Sequence, residues 1–320
     1  MKVLWVNNIY KLRYLGYING GVYQLEEKIY QLLRDRIRHK APPLINGPLA
    51  SVIALEVSRH TNPIVAYLGP EGSFTWEAAA ALFPHAQLTS YKSITDVFRE
   101  VERGAVDYGV VPFINSLEGP VGETVDALAT HDVKIVSMGE MKITLCLAKK
   151  GTPRVVYTHP HAASQARKIL QILEAEVVYT SSTSQAVLEF EKCENCGVIA
   201  SPRALEKFSK TCGVEDRESY TRFAILSKEA PGGGGRVSII FAVPNVAGAL
   251  YKALGPVATR GINMTLIYSR PTRLSPWDYF FLVEVEYVDV LEEALREMSL
   301  YTTMLKTVGR YNIIQIEPTS

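Results

Sequence analysis

A run of one proline and four glycines at residues 231–235 divides this chain into two parts of different character. Successive glycines lose much conformational freedom when they are ordered, so such a run is unfavourable inside a helix or a strand. The run therefore predicts a flexible joint between two folded domains. The length of 320 residues suits about two domains, which agrees with a boundary at this place.

The stretch from residue 61 to residue 230 alternates short β-branched runs with amphipathic segments. Strands are predicted at residues 64–68, 108–111, 134–138, 143–148, 155–158, 177–180, 198–200 and 220–226. Helices are predicted at residues 76–82, 94–103, 121–130 and 162–173. This alternation predicts an α/β fold with mostly parallel sheets.

Residues 236–317 follow a different order, in which a strand and a helix precede two strands, a second helix and a last strand. This βαββαβ order is the ferredoxin-like arrangement. Residues 1–60 predict a separate helical arm, because apolar residues recur at helical spacing between residues 22 and 37 before Pro42 and Pro43 end that helix. We expect its apolar stripe to be buried against another subunit or the domain that follows.

Charge and apolar patterning exclude several classes of partner. The 34 Lys and Arg residues nearly balance the 33 Asp and Glu residues, so the sequence gives no indication of a nucleic-acid partner. No stretch approaches the roughly 20 apolar residues that span a bilayer, so no membrane segment is expected. We expect a cytoplasmic protein.

The four cysteines offer little support for a metal site. Cys193 and Cys196 form one CxxC pair, but no second close pair and no nearby His complete a tetrahedral zinc site. A disulfide from either of them to Cys212 is the alternative. Because disulfides are uncommon in cytosolic proteins, unpaired and unreactive thiols are the main expectation.

Five turns after predicted strands are rich in small polar residues, and such turns hold ligands in open α/β sheets. The first, at residues 69–75, leads into a helix whose backbone N–H groups can hold an anion, although a plain glycine turn fits equally well. It is no phosphate-binding P-loop, because the Gly-Lys-Ser/Thr element is absent.

The other turns carry neutral donors and one cation. They contain Asn115 with Ser116, His159 with His161, Ser182 with Thr183, and Thr221 beside Arg222. The two His residues lack a third metal ligand, so helix capping or substrate contact is favoured over a metal pair. The run of hydroxyls at residues 181–184, which precedes a helix, is also explained by an N-cap at Ser182 or Thr183 alone. The residues thus predict a cleft that binds a small carboxylate, and a cofactor-free enzyme and a solute-binding module both stay open.

Read in order, the segments YLGPEGSFT, VPFINSLEGPV, THPHA, STSQA, VIAS and YTRF resemble the prephenate dehydratase family. Beyond the joint, PNVAGALYKAL and INMTLIYSRP resemble the ACT domain that follows the catalytic domain in that family. The resemblance spans about residues 64–316. It implies a catalytic domain of two α/β lobes, like a type II periplasmic binding protein, with the active site in the cleft.

The resemblance also implies roles for individual residues. Catalysis is assigned to Thr221, Arg222 and Phe223, with Thr221 as the main candidate. Substrate binding is assigned to Ser73, Thr75, Asn115, Ser116, His159, Ser182 and Thr183. Binding of L-phenylalanine at a dimer interface is assigned to Gly248, Ala249, Leu250, Asn263, Ser269, Arg270 and Pro271. The family usually has Glu at the positions of Ile114 and Tyr268, and Asn at that of Ser219.

The implied enzyme is a lyase of phenylalanine biosynthesis. It converts prephenate to phenylpyruvate with loss of carbon dioxide and water, needs no cofactor and no metal, and is inhibited by phenylalanine as a homodimer or homotetramer. An arogenate dehydratase and a catalytically inactive amino-acid sensor are the alternatives. Residues 21–58 faintly resemble the chorismate mutase arm of bifunctional enzymes, but they are too few to surround that substrate with cations, so no mutase activity is expected.

Overall fold

A computed structural model describes residues 62–229, 233–272 and 278–317. The predicted helical arm, Pro231 and Gly232 lie outside the described residues. Among the described residues, no helix is long and apolar enough to cross a membrane.

The first lobe contains a sheet of parallel and antiparallel strands. Most of these strands come from the beginning of the catalytic domain, and one comes from its end. Its strands are β1 (Ile64–Leu68), β2 (Gln87–Tyr91), β3 (Tyr108–Asn115), β4 (Gly119–Pro120), β5 (Lys134–Ile143) and β11 (Ser219–Ser227). Its helices are α1 (Phe74–Leu82), α2 (Ile94–Glu102) and α3 (Gly122–Thr130). Strand β1 pairs in parallel with β2 and β3, and β11 lies antiparallel between β3 and β5.

The first two helices begin at serine N-caps. Ser73 accepts a hydrogen bond from the Trp76 N–H, and Ser93 accepts one from the Asp96 N–H, so each cap satisfies a backbone donor that has no partner inside its helix. Both helices bury their apolar faces against the sheet.

The second lobe contains a five-stranded sheet in the order β10-β6-β9-β7-β8. Its strands are β6 (Cys146–Lys149), β7 (Val155–Thr158), β8 (Glu176–Tyr179), β9 (Cys196–Ala200) and β10 (Lys210–Cys212). Its helices are α4 (Pro160–Gln165), α5 (Arg167–Leu173) and α6 (Thr183–Lys192). The carboxyl ends of β7 and β9 lie side by side, where Thr158 Oγ1 donates to the Ile199 carbonyl over 3.1 Å.

The expectation of unpaired thiols is wrong for two of the four cysteines. Cys146 and Cys212 form a disulfide, because β6 and β10 are antiparallel and place these residues directly opposite each other. Cys193 and Cys196 are free thiols. Burial and the neighbouring Cys193 raise the pKa of Cys196 to about 12, which makes it an unreactive thiol at neutral pH.

The chain crosses between the lobes twice, at residues 144–145 and 213–218. The crossing segments are hydrogen-bonded to each other, because the N–H groups of Gly213 and Val214 donate to the Leu145 carbonyl and the Leu145 N–H donates to Glu215. The crossings therefore form one two-stranded connection at the base of the cleft.

The C-terminal domain has the predicted βαββαβ order. It consists of β12 (Arg236–Ala242), α7 (Ala249–Thr259), β13 (Met264–Pro271), β14 (Tyr279–Glu286), α8 (Leu291–Met298), a 3-10 turn (Ser299–Tyr301) and β15 (Met304–Tyr311). A last strand, β16 (Ile313–Ile316), leaves this unit and pairs in parallel with β5 of the first lobe. Strand order β13-β14-β12-β15-β5-β11-β3-β1-β2 therefore continues through both domains.

The described glycines of the run do not form the predicted flexible joint. The Gly234 carbonyl accepts from Arg310 Nε over 2.9 Å, and the Gly235 N–H donates to Asn312 over 2.9 Å. Residues of both domains also share one apolar core, in which Phe113 and Ala224 belong to the same cluster as residues of β12, β14 and β15. Because the sheet and the core continue across the boundary, the end of the run is held in place.

Candidate active site

Three polar side chains form a hydrogen-bonded cluster where β3 and β11 meet. Asn115 Nδ2 donates to Ser219 Oγ over 2.9 Å and to Thr221 Oγ1 over 3.0 Å. The cluster follows from the strand register, because Thr221 lies directly opposite Asn115. Asn115 Oδ1 accepts from the N–H groups of Leu117 and Glu118, which fixes the orientation of the amide.

This cluster lies at the base of the cleft. Ser219 is opposite Ile143, the last residue before the chain first crosses to the second lobe, and Thr221 follows two residues later. Ser219 is fully buried and Thr221 is 9% exposed. Ser116 continues the cluster outward, since its Oγ accepts from the Tyr220 N–H over 2.9 Å. Ser116 therefore extends this group of hydroxyls from the buried Ser219 toward the surface.

Helix α1 presents the first predicted substrate-binding turn to the second lobe. Ser73 donates to the Leu68 carbonyl while it caps α1, and Thr75 is buried in the first turn of that helix. Across the cleft, Ser184 donates to the Glu71 carbonyl. The structure thus brings residues 71–75 of one lobe together with the beginning of α6 in the other.

Helices α4 and α6 begin at the remaining predicted residues of the second lobe. His159 caps α4, with its ring nitrogen accepting from the His161 N–H over 3.3 Å, and Ser182 caps α6, with its Oγ accepting from the Gln185 N–H over 3.1 Å. Thr183 is the first residue of α6. Helix N-termini carry partial positive charge, so these starts suit a carboxylate.

The His159 ring is uncharged at neutral pH. Burial lowers the pKa of His159 and the neighbouring His161 lowers it further, against the opposing effect of Glu118. His161 instead pairs with Glu118 of the first lobe, Nδ1 to Oε2, over 2.8 Å. The predicted loop after β3 and the predicted turn before α4 are thereby joined across the cleft.

Arg222 and Phe223 are not brought together with the Thr221 hydroxyl. The Arg222 side chain leaves β11 on the opposite face, where its Nε donates to Glu140 Oε2 over 2.6 Å. Its Nη1 lies 3.7 Å from the buried Glu284 of the C-terminal domain. Phe223 is fully buried in the core beneath α1. Successive side chains of a strand point to opposite faces of the sheet. This alternation could have predicted from the sequence that Arg222 and Thr221 do not share a face.

Glu140 was missed by the sequence reasoning. Burial raises the pKa of Glu140, but hydrogen bonds from Gln315 and Arg222 outweigh that effect and leave the pKa below its ordinary value. Glu140 is therefore a carboxylate that neutralises Arg222. No local sequence signal links Glu140, Arg222 and Gln315, because they lie on three strands far apart in the chain.

The three departures from the family pattern fall in different surroundings. Ile114 lies opposite Arg222 and packs against the shared apolar core, away from the Thr221 cluster. Ser219 belongs to the cluster itself and accepts one of the two hydrogen bonds from Asn115. Tyr268 packs against the shared core on β13.

The predicted effector residues lie at the start of α7, just before β13 and in the last part of β13. Gly248 caps α7 with φ of 79°, and Ala249 and Leu250 begin that helix. A β-carbon at Gly248 would meet no atom within 4 Å of it in the single chain. The position therefore favours glycine because of its left-handed backbone and not because space is short. Asn263 precedes β13, its carbonyl accepting from the Glu286 N–H.

The predicted effector residues on β13 are divided between solvent and the catalytic domain. Ser269 and Pro271 are exposed, whereas Arg270 turns toward α3. Arg270 Nε donates to Asp126 Oδ1 over 2.9 Å, and a second guanidinium nitrogen bonds the other oxygen. The hydrogen bond to Asp126 raises the pKa of Arg270. A β-carbon on Gly122, which begins α3, would lie only 2.6 Å from this guanidinium, so the two elements are in close contact.

Comparison with known proteins agrees with this geometry. The family model for prephenate dehydratase matches residues 65–231, which is more than half of the chain. The chain belongs to the prephenate dehydratase family. The model for the ACT domain matches residues 237–299. The protein is therefore an enzyme of the prephenate dehydratase kind with a C-terminal ACT domain, and the predicted fold class and family are confirmed.

Two relatives cover most of the chain. A bifunctional chorismate mutase/prephenate dehydratase of Aquifex aeolicus is 38% identical over 77% of this chain and 73% of its own length. A chloroplastic arogenate dehydratase/prephenate dehydratase 2 of Arabidopsis thaliana is 31% identical over 85% of this chain and 78% of its own length.

Two solved structures share the fold. Prephenate dehydratase of Arthrobacter aurescens in complex with L-Phe has a TM-score of 0.71 at 24% identity and covers 80% of this chain and 92% of its own. GqqA, named a novel type of quorum-quenching acylase, has a TM-score of 0.69 at 28% identity and covers 78% of this chain and 97% of its own.

Proposed function

We propose that the cleft converts prephenate to phenylpyruvate, carbon dioxide and water, with Thr221 as the hydrogen-bond donor to the departing hydroxyl. The bond to the ring carboxylate breaks to release carbon dioxide, its electron pair moves into the ring, and the carbon–oxygen bond opposite breaks. The hydroxyl takes up one proton and leaves as water. Aromatisation of the ring drives the reaction.

The observation that carries this proposal is the direction of the Asn115 hydrogen bonds. Because Asn115 donates to Thr221 Oγ1, the hydroxyl oxygen is an acceptor in this bond, and its own hydrogen remains available to be donated to a substrate oxygen. A hydroxyl oriented in this way can stabilise the oxygen on which negative charge develops.

The substrate's two carboxylates would be bound by helix starts and not by Arg222. The beginnings of α1, α4 and α6 face the cleft with capping side chains Ser73, His159 and Ser182, and their backbone dipoles favour anions. Arg222 and Phe223 would act in support of Thr221, Arg222 through its ion pair with Glu140. No step of this reaction requires a cofactor or a metal.

Replacement of Thr221 by alanine tests the reaction. We expect turnover to fall roughly 100- to 10,000-fold, the usual range for the loss of a proton-donating group. Phenylpyruvate absorbance measures turnover, and circular dichroism should be unchanged because one small side chain is lost. A variant with turnover near that of the wild type would refute the role of Thr221.

Arogenate, the aminated analogue, is the second candidate substrate, and the Arabidopsis relative carries both names. The two substrates differ only in the side chain that ends in a keto or an amino group. Turnover measured on both with the same enzyme preparation decides between them. An absence of turnover on either would favour the inactive amino-acid sensor.

We propose that L-phenylalanine binds the ACT domain and inhibits the enzyme. The exposed Ser269 and Pro271 and the start of α7 at Gly248 and Ala249 would meet the ligand, and the Arthrobacter dehydratase was solved with L-Phe. Inhibition requires that the ligand bind one conformation more tightly than another. Calorimetry together with rates at increasing L-phenylalanine tests both steps.

The ACT domain would also form the dimer interface. Strand β13 is the edge of the long sheet, and its outward residues include Ile267, which is 48% exposed. An edge strand with exposed apolar side chains is a template for pairing with a second copy. Sedimentation velocity measures the assembly, and a monomer at micromolar concentration would refute this interface.

We further propose a cytoplasmic location, as expected for a pathway that makes amino acids. The disulfide between Cys146 and Cys212 is the observation against it, because disulfides are uncommon in reducing compartments. Cell fractionation followed by detection of the protein decides the question.

A further inference from the structure

Four residues join the two lobes at a place that the proposed chemistry does not use. Trp76 and Glu77 are consecutive residues of α1 in the first lobe, and Ser201 and Arg203 follow β9 in the second. Ser201 Oγ donates to the Glu77 carboxylate, and the Arg203 guanidinium lies over the Trp76 ring, 4.2 Å from its centroid. We call these four residues the interlobe clasp.

The inner contact of the interlobe clasp is well enclosed. Ser201 is fully buried, and its hydroxyl also accepts from the Ala204 N–H over 3.2 Å. Burial raises the pKa of Glu77, against the opposing effects of the Ser201 hydrogen bond and the Arg203 charge. Burial of a carboxyl group is costly unless its oxygens are hydrogen-bonded. The hydrogen bond between Ser201 and Glu77 is therefore strongly favoured.

The position of the clasp connects it to substrate binding. Glu77 lies one helical turn beyond Ser73 and two residues beyond Thr75, on the helix that presents these residues to the cleft. Ser201 follows β9 at the carboxyl edge that also carries Thr158 and the start of α4. The clasp therefore holds α1 close to the second lobe, together with the contacts that Glu71 and Glu118 make across the cleft.

We propose that Glu77 is a positioning residue of the dehydratase, which holds α1 against the second lobe when the cleft is closed around prephenate. The substrate must enter while the lobes are apart, and the clasp contacts form only when they meet. Loss of the clasp lowers the fraction of enzyme in the closed form, which weakens apparent binding by the same factor. The bound enzyme still closes, so the chemical step is preserved.

Replacement of Glu77 by alanine in the full-length enzyme tests this role with prephenate as the probe. We expect KM to rise about tenfold, the scale of one hydrogen bond to a charged group, with kcat within about twofold of the wild type. Glu102→Ala is the matched control, because Glu102 bonds His131 within the first lobe, and it should leave both constants unchanged. An unchanged KM overturns the proposal, as does a large fall in kcat at unchanged KM.

Arg203→Ala keeps the test decisive if Glu77→Ala does not fold. It removes the outer contact alone, and KM should rise about threefold, as expected for a partly exposed cation–π contact. In the double variant, KM should rise by less than the product of the two single effects, because the Arg203 charge also interacts with the Glu77 carboxylate and is of less use once that carboxylate is gone. A double variant with the KM of the wild type would overturn the clasp.

Fluorescence provides a readout that is independent of turnover. The three tryptophans are Trp5, Trp76 and Trp277, so phenylalanine at the other two positions leaves Trp76 as the single reporter. Prephenate should change its emission at a concentration that Glu77→Ala raises about tenfold, as for KM. The proposal rests on the proposed reaction: a wild type without turnover refutes the reaction, whereas unchanged constants in active variants refute the clasp alone.

Discussion

Asn115 determines which way the Thr221 hydroxyl points, and this predicts a large effect of a change that is nearly isosteric. In Asn115→Asp, a carboxylate oxygen replaces the amide nitrogen that donates to Ser219 and Thr221 over 2.9 and 3.0 Å. The carboxylate can only accept, so the Thr221 hydroxyl must turn and donate to it. Its hydrogen then no longer points to the departing oxygen.

The size of the effect follows from the bond that must be given up. A hydrogen bond to a charged group contributes about 1.5–3 kcal/mol, and Thr221 would have to break it before it serves the substrate. We therefore expect kcat to fall about 10- to 150-fold, since each 1.36 kcal/mol is a factor of ten. KM should rise as well, because a new negative charge lies beside a dianionic substrate.

Phenylpyruvate formation at saturating prephenate measures this prediction. The N–H groups of Leu117 and Glu118 can still donate to the aspartate, so the fold should be kept, and circular dichroism checks it. Ser219→Ala is the control, because it removes the other acceptor and leaves the bond to Thr221, and we expect kcat within about threefold. A kcat for Asn115→Asp within threefold of the wild type would show that hydroxyl direction is not what matters.

Two further predictions concern ion pairs, one between the two domains and one within the first lobe. Asp126→Asn weakens the ion pair with Arg270. Calorimetry should still detect binding of L-phenylalanine, while the L-phenylalanine concentration for half-inhibition should rise about fivefold, as expected from a partly exposed pair. Inhibition equal to that of the wild type would refute a role of this pair in coupling the two domains. Glu140→Gln should lower the free energy of unfolding in urea by about 1–2 kcal/mol near pH 7, since it weakens a partly buried pair with Arg222. Because the folded pKa of Glu140 is depressed, this difference should be complete above about pH 5 and shrink as the pH falls through that pKa; a difference independent of pH would refute the pairing.

The limits of strands were predicted best where a short run of β-branched residues is bounded by turn residues. The predicted strands at 64–68 and 155–158 are confirmed with the same limits. Strand β2 (Gln87–Tyr91) was missed because it is largely polar and owes its place to pairing with β1. The strands predicted at 134–138 and 143–148 were divided wrongly, because β5 extends to Ile143 through pairing with β11 that no local pattern indicates.

The candidate site was also predictable from the sequence only in part. Short motifs pointed to Asn115 and Thr221, and the register of two strands brings them together. The partner of Arg222 was not predictable, since Glu140 is 82 residues away and no periodic pattern relates them. The contact between Glu77 and Ser201 spans 124 residues and depends on how two lobes meet, which is a property of packing and not of local sequence.

Strand β16 has a practical consequence for anyone who wishes to free this enzyme from its end product. Deletion of everything after the glycine run would remove the sensor, but it would also remove residues 313–316 from beside β5 and leave that strand as a bare sheet edge. Ile314 and Ile316 would leave the core beneath α1 at the same time. An unpaired apolar edge favours aggregation. A desensitised catalyst for phenylalanine production should therefore be sought through point substitutions in the intact chain, or through a truncation that grafts the last strand back.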